Sequence, residues 1–400
     1  MRVDFSPPDL TDVDIQEVVE ALKSGWITTG PRTKKFEKNI AAYLNVPNVC
    51  CLNSQTACAE MILRILGIGE GDEVITTAYT YTASASVICH VGAKPVLVDT
   101  KPDSFEIDYD AVEAAINEKT KVIIPVDIGG IPCDYDRLAE IVKSKKHLFK
   151  PANKYQEAIG RVTINADGAH SLGAVLDGRS VASCADFYAT SFHAVKNLTT
   201  AEGGALTWNH IDGIDDAELY HYLQMISLHG QSKDALAKNK LGAWEYDIAG
   251  TWYKCNMTDV SAALGLHQLE RYDDILARRH EIVGRYDAAF KPLGVRTPEH
   301  TTERYKSSGH LYLTRIPGIT PEQRNEIIVK MAELEVATNV HYKPLPLFTA
   351  YKQLGFDIKD YPNAYAQFAN EITLPLHTCL TDEQIDYVIE CYTKVLKEYL

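Results

Sequence analysis

The chain has 400 residues, 46% of them hydrophobic and 24% charged, with 54 acidic against 40 basic side chains and a formal net charge of -14. That balance excludes a disordered or fibrous polypeptide, and its field repels phosphate backbones, so no nucleic-acid partner is expected. The length exceeds one ordinary core and implies two domains, or one large α/β unit with an appended piece.

The opening segment, "MRVDFSPPDLTDVDIQEVVEALKSG", has no apolar run of signal-peptide type, and nothing later approaches the roughly 18 uncharged apolar residues of a membrane span. The nine cysteines are scattered, with no C-x-x-C pair. Such usage fits a reducing compartment, and a cytoplasmic protein is expected. From residue 49 to residue 207 short β-type runs alternate with helical patterns: "VCCLN", "TACAEMILRIL", "EVITT", "TASASVICHVG", "PVLVD", "DAVEAAIN", "KVIIPVD", "YDRLAEIVKS", "VTINAD" and "DFYATSF". The strands are near-continuous apolar runs, as expected where both faces of a parallel sheet are covered by helices. The basic run Lys143 to Lys146 reads as the solvated end of a helix. Residues 146 to 160 are long and polar for a connection and suggest an insertion or a flap. Beyond Thr207 a helical stretch, "AELYHYLQMISLHG", leads into an aperiodic excursion to Asn256. One long helix is predicted from a cap at Thr258 and Asp259 through "AAF" at residue 290. The remainder mixes "HLYLTRI" and "VATNVHY" strands with "PEQRNEIIVKMAEL" and "DEQIDYVIECYTKVLKEYL" helices. The expected organisation is a large domain over 1–250 and a smaller α+β domain over 251–400.

Ligands of such sheets collect at the carboxyl ends of strands, where Asn53, Ser54, Asp99, Asp127, Asp167 and Ser191 fall. Lys196, in "SFHAVKNLTTAEGG", stands among small, hydroxyl-bearing and apolar residues just past a strand. A lysine stripped of water there loses its proton more easily and becomes a nucleophilic amine, able to form an imine with the aldehyde of pyridoxal phosphate. Asp167, in "INADGAHSLGA", ends a neighbouring strand, where a carboxylate can pair with a pyridinium nitrogen; a helix cap is its other reading. His170 lies within reach of the same ring's phenolic oxygen, or caps the turn. "NSQTA" puts Gln55 and Thr56 at a strand-to-helix junction suited to phosphate, and Ser191 adds another hydroxyl. Tyr81, in "AYTYTASA", can stack on a flat ring or simply pack in the core. Taken together and in this order, the residues point to a cofactor bonded to Lys196.

These stretches resemble the DegT/DnrJ/StrS family of pyridoxal phosphate-dependent sugar aminotransferases, of the aspartate aminotransferase-like fold type I. The resemblance runs from "GWITTGPRTKKFEKNIAAYLNV" through "LNSQTACAEMIL", "TTAYTYTASASV" and "INADGAHSLGA" to "SFHAVKNLTTAEGGAL" and "YKCNMTDVSAALGLHQLERYD". It implies that Lys196 forms the imine and shuttles the proton, and that Asp167 pairs with the ring nitrogen. It places His170 near the phenolic oxygen, Tyr81 on the ring, and Gln55, Thr56 and Ser191 at the phosphate. A homodimer with shared sites is implied, the partner's excursion contributing Lys254 or Asn256, and His193, His310, His341 and Tyr342 facing the substrate. The expected reaction moves an amino group from an amino acid, L-glutamate above all, to a nucleotide-linked keto-sugar, at carbon 4, in cell-surface polysaccharide or amino-sugar biosynthesis. Relatives with histidine in place of the lysine dehydrate sugars, so retention of Lys196 favours transamination. A sugar dehydratase or lyase, a non-catalytic regulator on the same fold, and a metal hydrolase built on Asp167, His170 and His193 are the alternatives.

Overall fold

The structure, a computed structural model, describes residues 1–232 and 245–400. Seven strands build the central sheet: β1 (Asn48–Leu52), β2 (Glu73–Thr77), β3 (Lys94–Val98), β4 (Thr120–Ile124), β5 (Thr163–Asp167), β6 (Phe187–Ser191) and β7 (Gly204–Trp208), in the spatial order β1-β7-β6-β5-β4-β2-β3. Neighbouring residues of each strand go to opposite sides. Ile75, Ile123, Ile164, Ala166 and Tyr188 enter one apolar cluster, and Val74, Val122, Ile124, Phe187 and Ala189 the other. Helices cover both faces, which is why these strands read as continuous apolar runs.

β7 departs from an all-parallel sheet, because it pairs antiparallel with both β6 and β1. Its first residue therefore lies at the same edge as the last residues of the others, with Gly204 opposite both Ser191 and Leu52. That edge carries the site.

Beyond the sheet, β8 (Tyr312–Arg315) and β9 (Glu371–Leu374) form an antiparallel pair covered by the helices Pro321–Glu333 and Asp382–Leu396. Ile282, Ile327, Val388 and Leu396 make its apolar core, which Val3 joins from the other end of the chain through a bridge to Val336. The predicted long helix is two helices, Asp259–Glu270 and Tyr272–Phe290, broken at Arg271. There the guanidinium reaches the Asp9 carbonyl and the Asp14 carboxylate, a tertiary demand with no Gly or Pro to announce it. The "VATNVHY" stretch is not a strand: it makes isolated bridges only, at Val336 and Asn339. Nor do residues 146 to 160 form a flap. A 3-10 turn at Lys146–Leu148 and a helix at Lys154–Ile159 pack down, with Gln156 and Asn153 both donating to the Leu66 carbonyl at 2.7 Å.

Asp259 shows how the N-terminal segment is docked. Thr258 caps the helix, while the buried Asp259 carboxylate accepts from the main-chain N–H of Gly30, Arg32 and Thr33 and from the Thr33 hydroxyl. One side chain thus satisfies the otherwise unpaired amides at the start of the helix Pro31–Leu44.

Candidate active site

Lys196 stands on a loop whose base is closed by hydrogen bonds from Phe192 N–H to the Gly203 carbonyl and from Thr200 N–H to the Phe192 carbonyl, at 2.8 and 2.9 Å. The loop leaves β6 and re-enters at β7, so the lysine is held at the sheet edge. It faces a cavity of about 370 Å³. Removal from water draws its pKa down to about 8, against the Asp167 carboxylate, which raises it. The cavity is lined by Gln55, Thr56, Tyr81, Asp167, His170, Ser191, His193, Lys196, His341 and Tyr342, all anticipated from the sequence.

Asp167 ends β5 and is buried. Burial raises its pKa; the Ser84 hydroxyl at 2.7 Å, the Ala169 N–H at 3.2 Å and Lys196 act in the opposite sense. His170 is held neutral: burial first, then Lys196, draws its pKa well below the ordinary value. Gly129 N–H donates to its Nδ1 at 3.2 Å, so the ring proton sits on Nε2, which meets the Tyr342 hydroxyl at 3.1 Å. His170 is therefore a neutral donor. Tyr81 is exposed at 62%, tilted against Tyr342 at 6.0 Å between centroids, and free to cover a flat ring.

On the same cavity Ser54 caps the helix Gln55–Ile65 by accepting from Ala57 N–H. The Gln55 side chain serves the Asp167 carboxylate, whose pKa it lowers, and what suits a phosphate is the start of the helix itself, beside Thr56 and Ser191. A buried carboxylate and an amine of lowered pKa that act on each other, with a helix N-terminus on the same cavity, are the donor set that fits pyridoxal 5'-phosphate. The pattern needs glycine where the loops meet: a Cβ on Gly204 would lie 2.4 Å from Gln55 N, and one on Gly203 would lie 2.1 Å from Thr200 Oγ1.

Three anticipated residues, His310, Lys254 and Asn256, are not among those that line this cavity. His310 is buried, its Nδ1 2.8 Å from Asn197 Oδ1, and lines an adjoining cavity of about 140 Å³ that Lys196, His341 and Tyr342 line as well. Asn256 bridges to Leu52 and donates to the Thr29 hydroxyl at 2.6 Å, bonded also to Lys254, outside the pocket of its own chain. The excursion was expected over Gly230 to Asn256, and its residues 233–244 lie outside the described residues. Ser84 and Gly204 were not singled out from the sequence. A hydroxyl one turn past Thr80 and a Gly-Gly pair after the lysine were the available signals. Among the described residues no set of three metal-ligating side chains converges, and no helix is long and apolar enough to cross a membrane.

Comparison with known proteins leads to sugar aminotransferases. The chain is 37% identical over 402 residues to the spore coat polysaccharide biosynthesis protein SpsC of Bacillus subtilis, covering 98% of this chain and 97% of that one. It is 30% identical over 407 residues to UDP-4-amino-4-deoxy-L-arabinose–oxoglutarate aminotransferase of Shewanella sediminis, covering 99% of each. Among solved structures it matches the PMP-form of Spr1654 from Streptococcus pneumoniae, provisionally assigned as a sugar aminotransferase, with a TM-score of 0.97, 56% identity and full coverage of both chains. It also matches the PseC aminotransferase of Helicobacter pylori, with a TM-score of 0.88, 27% identity and full coverage of both chains. A model of the DegT/DnrJ/EryC1/StrS aminotransferase family, whose members use pyridoxal phosphate, matches residues 8–393, and the chain belongs to that family.

Proposed function

We propose that the protein transfers the amino group of L-glutamate to the carbonyl carbon of a nucleotide-linked keto-sugar, at carbon 4, in two half-reactions. The observation that carries the reading is Lys196, whose amine loses its proton near pH 8 while facing a pocket closed by the buried Asp167. The printed name of the Shewanella relative supports carbon 4 and an oxoglutarate couple, and that of SpsC supports a role in polysaccharide synthesis. Retention of lysine, where dehydrating relatives carry histidine, supports transfer over dehydration.

Pyridoxal phosphate, when bound, supplies an electrophilic carbon and an electron-withdrawing ring. The start of the helix at Gln55, with Thr56 and Ser191, would hold its phosphate, Asp167 its ring nitrogen, His170 its phenolic oxygen and Tyr81 its face. Lys196 Nζ, neutral, would take the proton from the α-carbon of the donor in the first half-reaction and, in the second, would deliver a proton to the sugar carbon that receives the amino group. His193, His341 and Tyr342 form the wall open to the sugar. We place Lys254 and Asn256 at the partner's site in a cytoplasmic homodimer.

The test is a single-turnover experiment on cofactor-loaded protein. Mixing with L-glutamate is expected to bleach the visible absorption and release 2-oxoglutarate in amounts matching the protein. Lys196→Ala is expected to release none. A panel of UDP-linked 4-keto-sugars added to the glutamate-treated protein should restore the absorption; wild-type protein that yields no 2-oxoglutarate would overturn the reading.

A further inference from the structure

Glu371, at the start of β9, is completely buried, lies outside the Lys196 pocket and takes no part in the transfer described above. Its Oε2 accepts the main-chain N–H of His341 at 2.8 Å and its Oε1 accepts the Thr373 hydroxyl at 2.6 Å. The same Thr373 oxygen lies 2.9 Å from Nδ1 of His341. The Tyr79 hydroxyl fixes the His341 carbonyl at 2.8 Å, and Phe5 stacks on the imidazole at 5.6 Å between centroids. His341 Nε2 has no hydrogen bond among the described residues, and the ring lines the cavity that holds Lys196.

A hydroxyl carries one proton, so in this chain of three groups the direction of one hydrogen bond fixes the other. While Glu371 is ionised it can only accept. Thr373 then donates to it, the Thr373 oxygen accepts from Nδ1–H, and Nε2 is left with a bare lone pair. When Glu371 carries a proton, Oε2 remains committed to the His341 N–H and the proton sits on Oε1. Glu371 then donates to Thr373, Thr373 donates to Nδ1, and the ring proton moves to Nε2. We propose that Glu371 is a positioning residue that acts through the Thr373 hydroxyl to set which nitrogen of His341 is protonated, and so whether the ring offers the pocket an acceptor or a donor.

His341 itself stays neutral throughout, since burial and then Lys196 draw its pKa to about 3. Burial pushes Glu371 up to about 8, opposed by the Thr373 hydroxyl, the His341 N–H and Arg324. The other groups that face it are Tyr79, Tyr342 and Tyr392, with Arg315 on the paired strand β8. All three phenols are shifted upward by burial and keep their protons, so Glu371 is the member that changes state. The inference is independent of which sugar is bound.

The test is nitrogen-15 NMR of histidine-labelled, cofactor-loaded protein, about one and a half pH units either side of 8. The His341 signal is assigned by its loss in His341→Asn. In wild type the Nε2 resonance is expected to pass from the protonated to the unprotonated range as pH rises. Glu371→Gln, whose amide donates to Thr373 while its carbonyl accepts the N–H, should hold Nε2 protonated at both values. Thr373→Val, which leaves Glu371 in place, should abolish the pH dependence, and Thr373→Ser should keep it. A wild-type signal that does not change, or a Glu371→Gln or Thr373→Val signal that changes as wild type does, overturns the proposal.

Discussion

At the scale of single residues, the reactivity of Lys196 is a contest between two neighbours of opposite effect. Loss of water favours the neutral amine and lowers its pKa, while Asp167 favours the ammonium and raises it, leaving a value near 8 against an ordinary lysine near 10.5. In cofactor-free protein, an amine-selective acylating reagent followed by peptide mapping should therefore modify Lys196 with a midpoint near pH 8, ahead of the solvated lysines. Asp167→Asn removes the only carboxylate opposing the shift, and the midpoint should fall below 8; a midpoint unchanged by that substitution would show that the two do not interact. The sequence disclosed Lys196 and Asp167 because each sits where a strand pattern ends, a place where a charge has chemical meaning in an α/β sheet. It could not disclose Ser84, whose hydroxyl supports Asp167 across 83 positions of chain, nor that His310 pairs with Asn197. A histidine's direction is decided by packing from distant segments.

At the scale of elements, the decisive feature is that β7 runs against its neighbours. Its start lies at the same edge as the ends of β1 and β6, which brings Gly204 against the Ser54–Gln55 backbone at the start of the helix Gln55–Ile65. Gly204→Ala places a methyl carbon 2.4 Å from Gln55 N and 2.5 Å from the Ser54 carbonyl carbon, and backbone cannot yield as a side-chain tip can. Overpacking of this kind costs about 1–3 kcal/mol. Urea unfolding of the cofactor-free variant should register that loss, and equilibrium dialysis should show weaker retention of pyridoxal phosphate; wild-type values for both would mean the loops separate freely. The alternation of strands and helices was legible because each buried strand is apolar on both faces. The break at Arg271 was not, since "LERYDD" has helical spacing and the kink serves contacts to Asp9 and Asp14 more than 250 positions away. The same holds for "VATNVHY", which has the composition of a strand but spends its hydrogen bonds on Glu371 and Thr373 side chains as well as on main chain.

At the scale of the whole molecule, two apolar clusters sandwich the large sheet and a third gathers the C-terminal elements, and the helix Tyr272–Phe290 connects them: Tyr272, Ile275 and Leu276 enter one cluster, Ile282, Tyr286 and Phe290 another. Burying this much chain also buries ionisable groups, and their protons tie stability to pH. Asp127, beneath the site, accepts hydrogen bonds from the Ser171 and Tyr135 hydroxyls at 2.6 and 2.9 Å and from Cys133 N–H at 2.9 Å, yet burial still pushes its pKa up to about 7. The unfolded chain ionises this carboxyl near its ordinary value of 3.8, so between 3.8 and 7 the folded state binds more protons than the unfolded one. Its contribution is most favourable below that interval and is lost as pH rises through it, by about 4 kcal/mol in total. The buried His300 and His377, both with pKa values drawn down to about 4 by burial, act with the opposite sign and weaken the fold as pH falls below their ordinary value. They are common to wild type and to Asp127→Asn, so the difference in unfolding free energy between the two proteins isolates the carboxylate. The variant should gain on wild type steadily from pH 4 to pH 7 and not beyond about 7.5. A difference that stays flat across the interval would mean that Asp127 is ionised throughout and that its three donors, not burial, govern it.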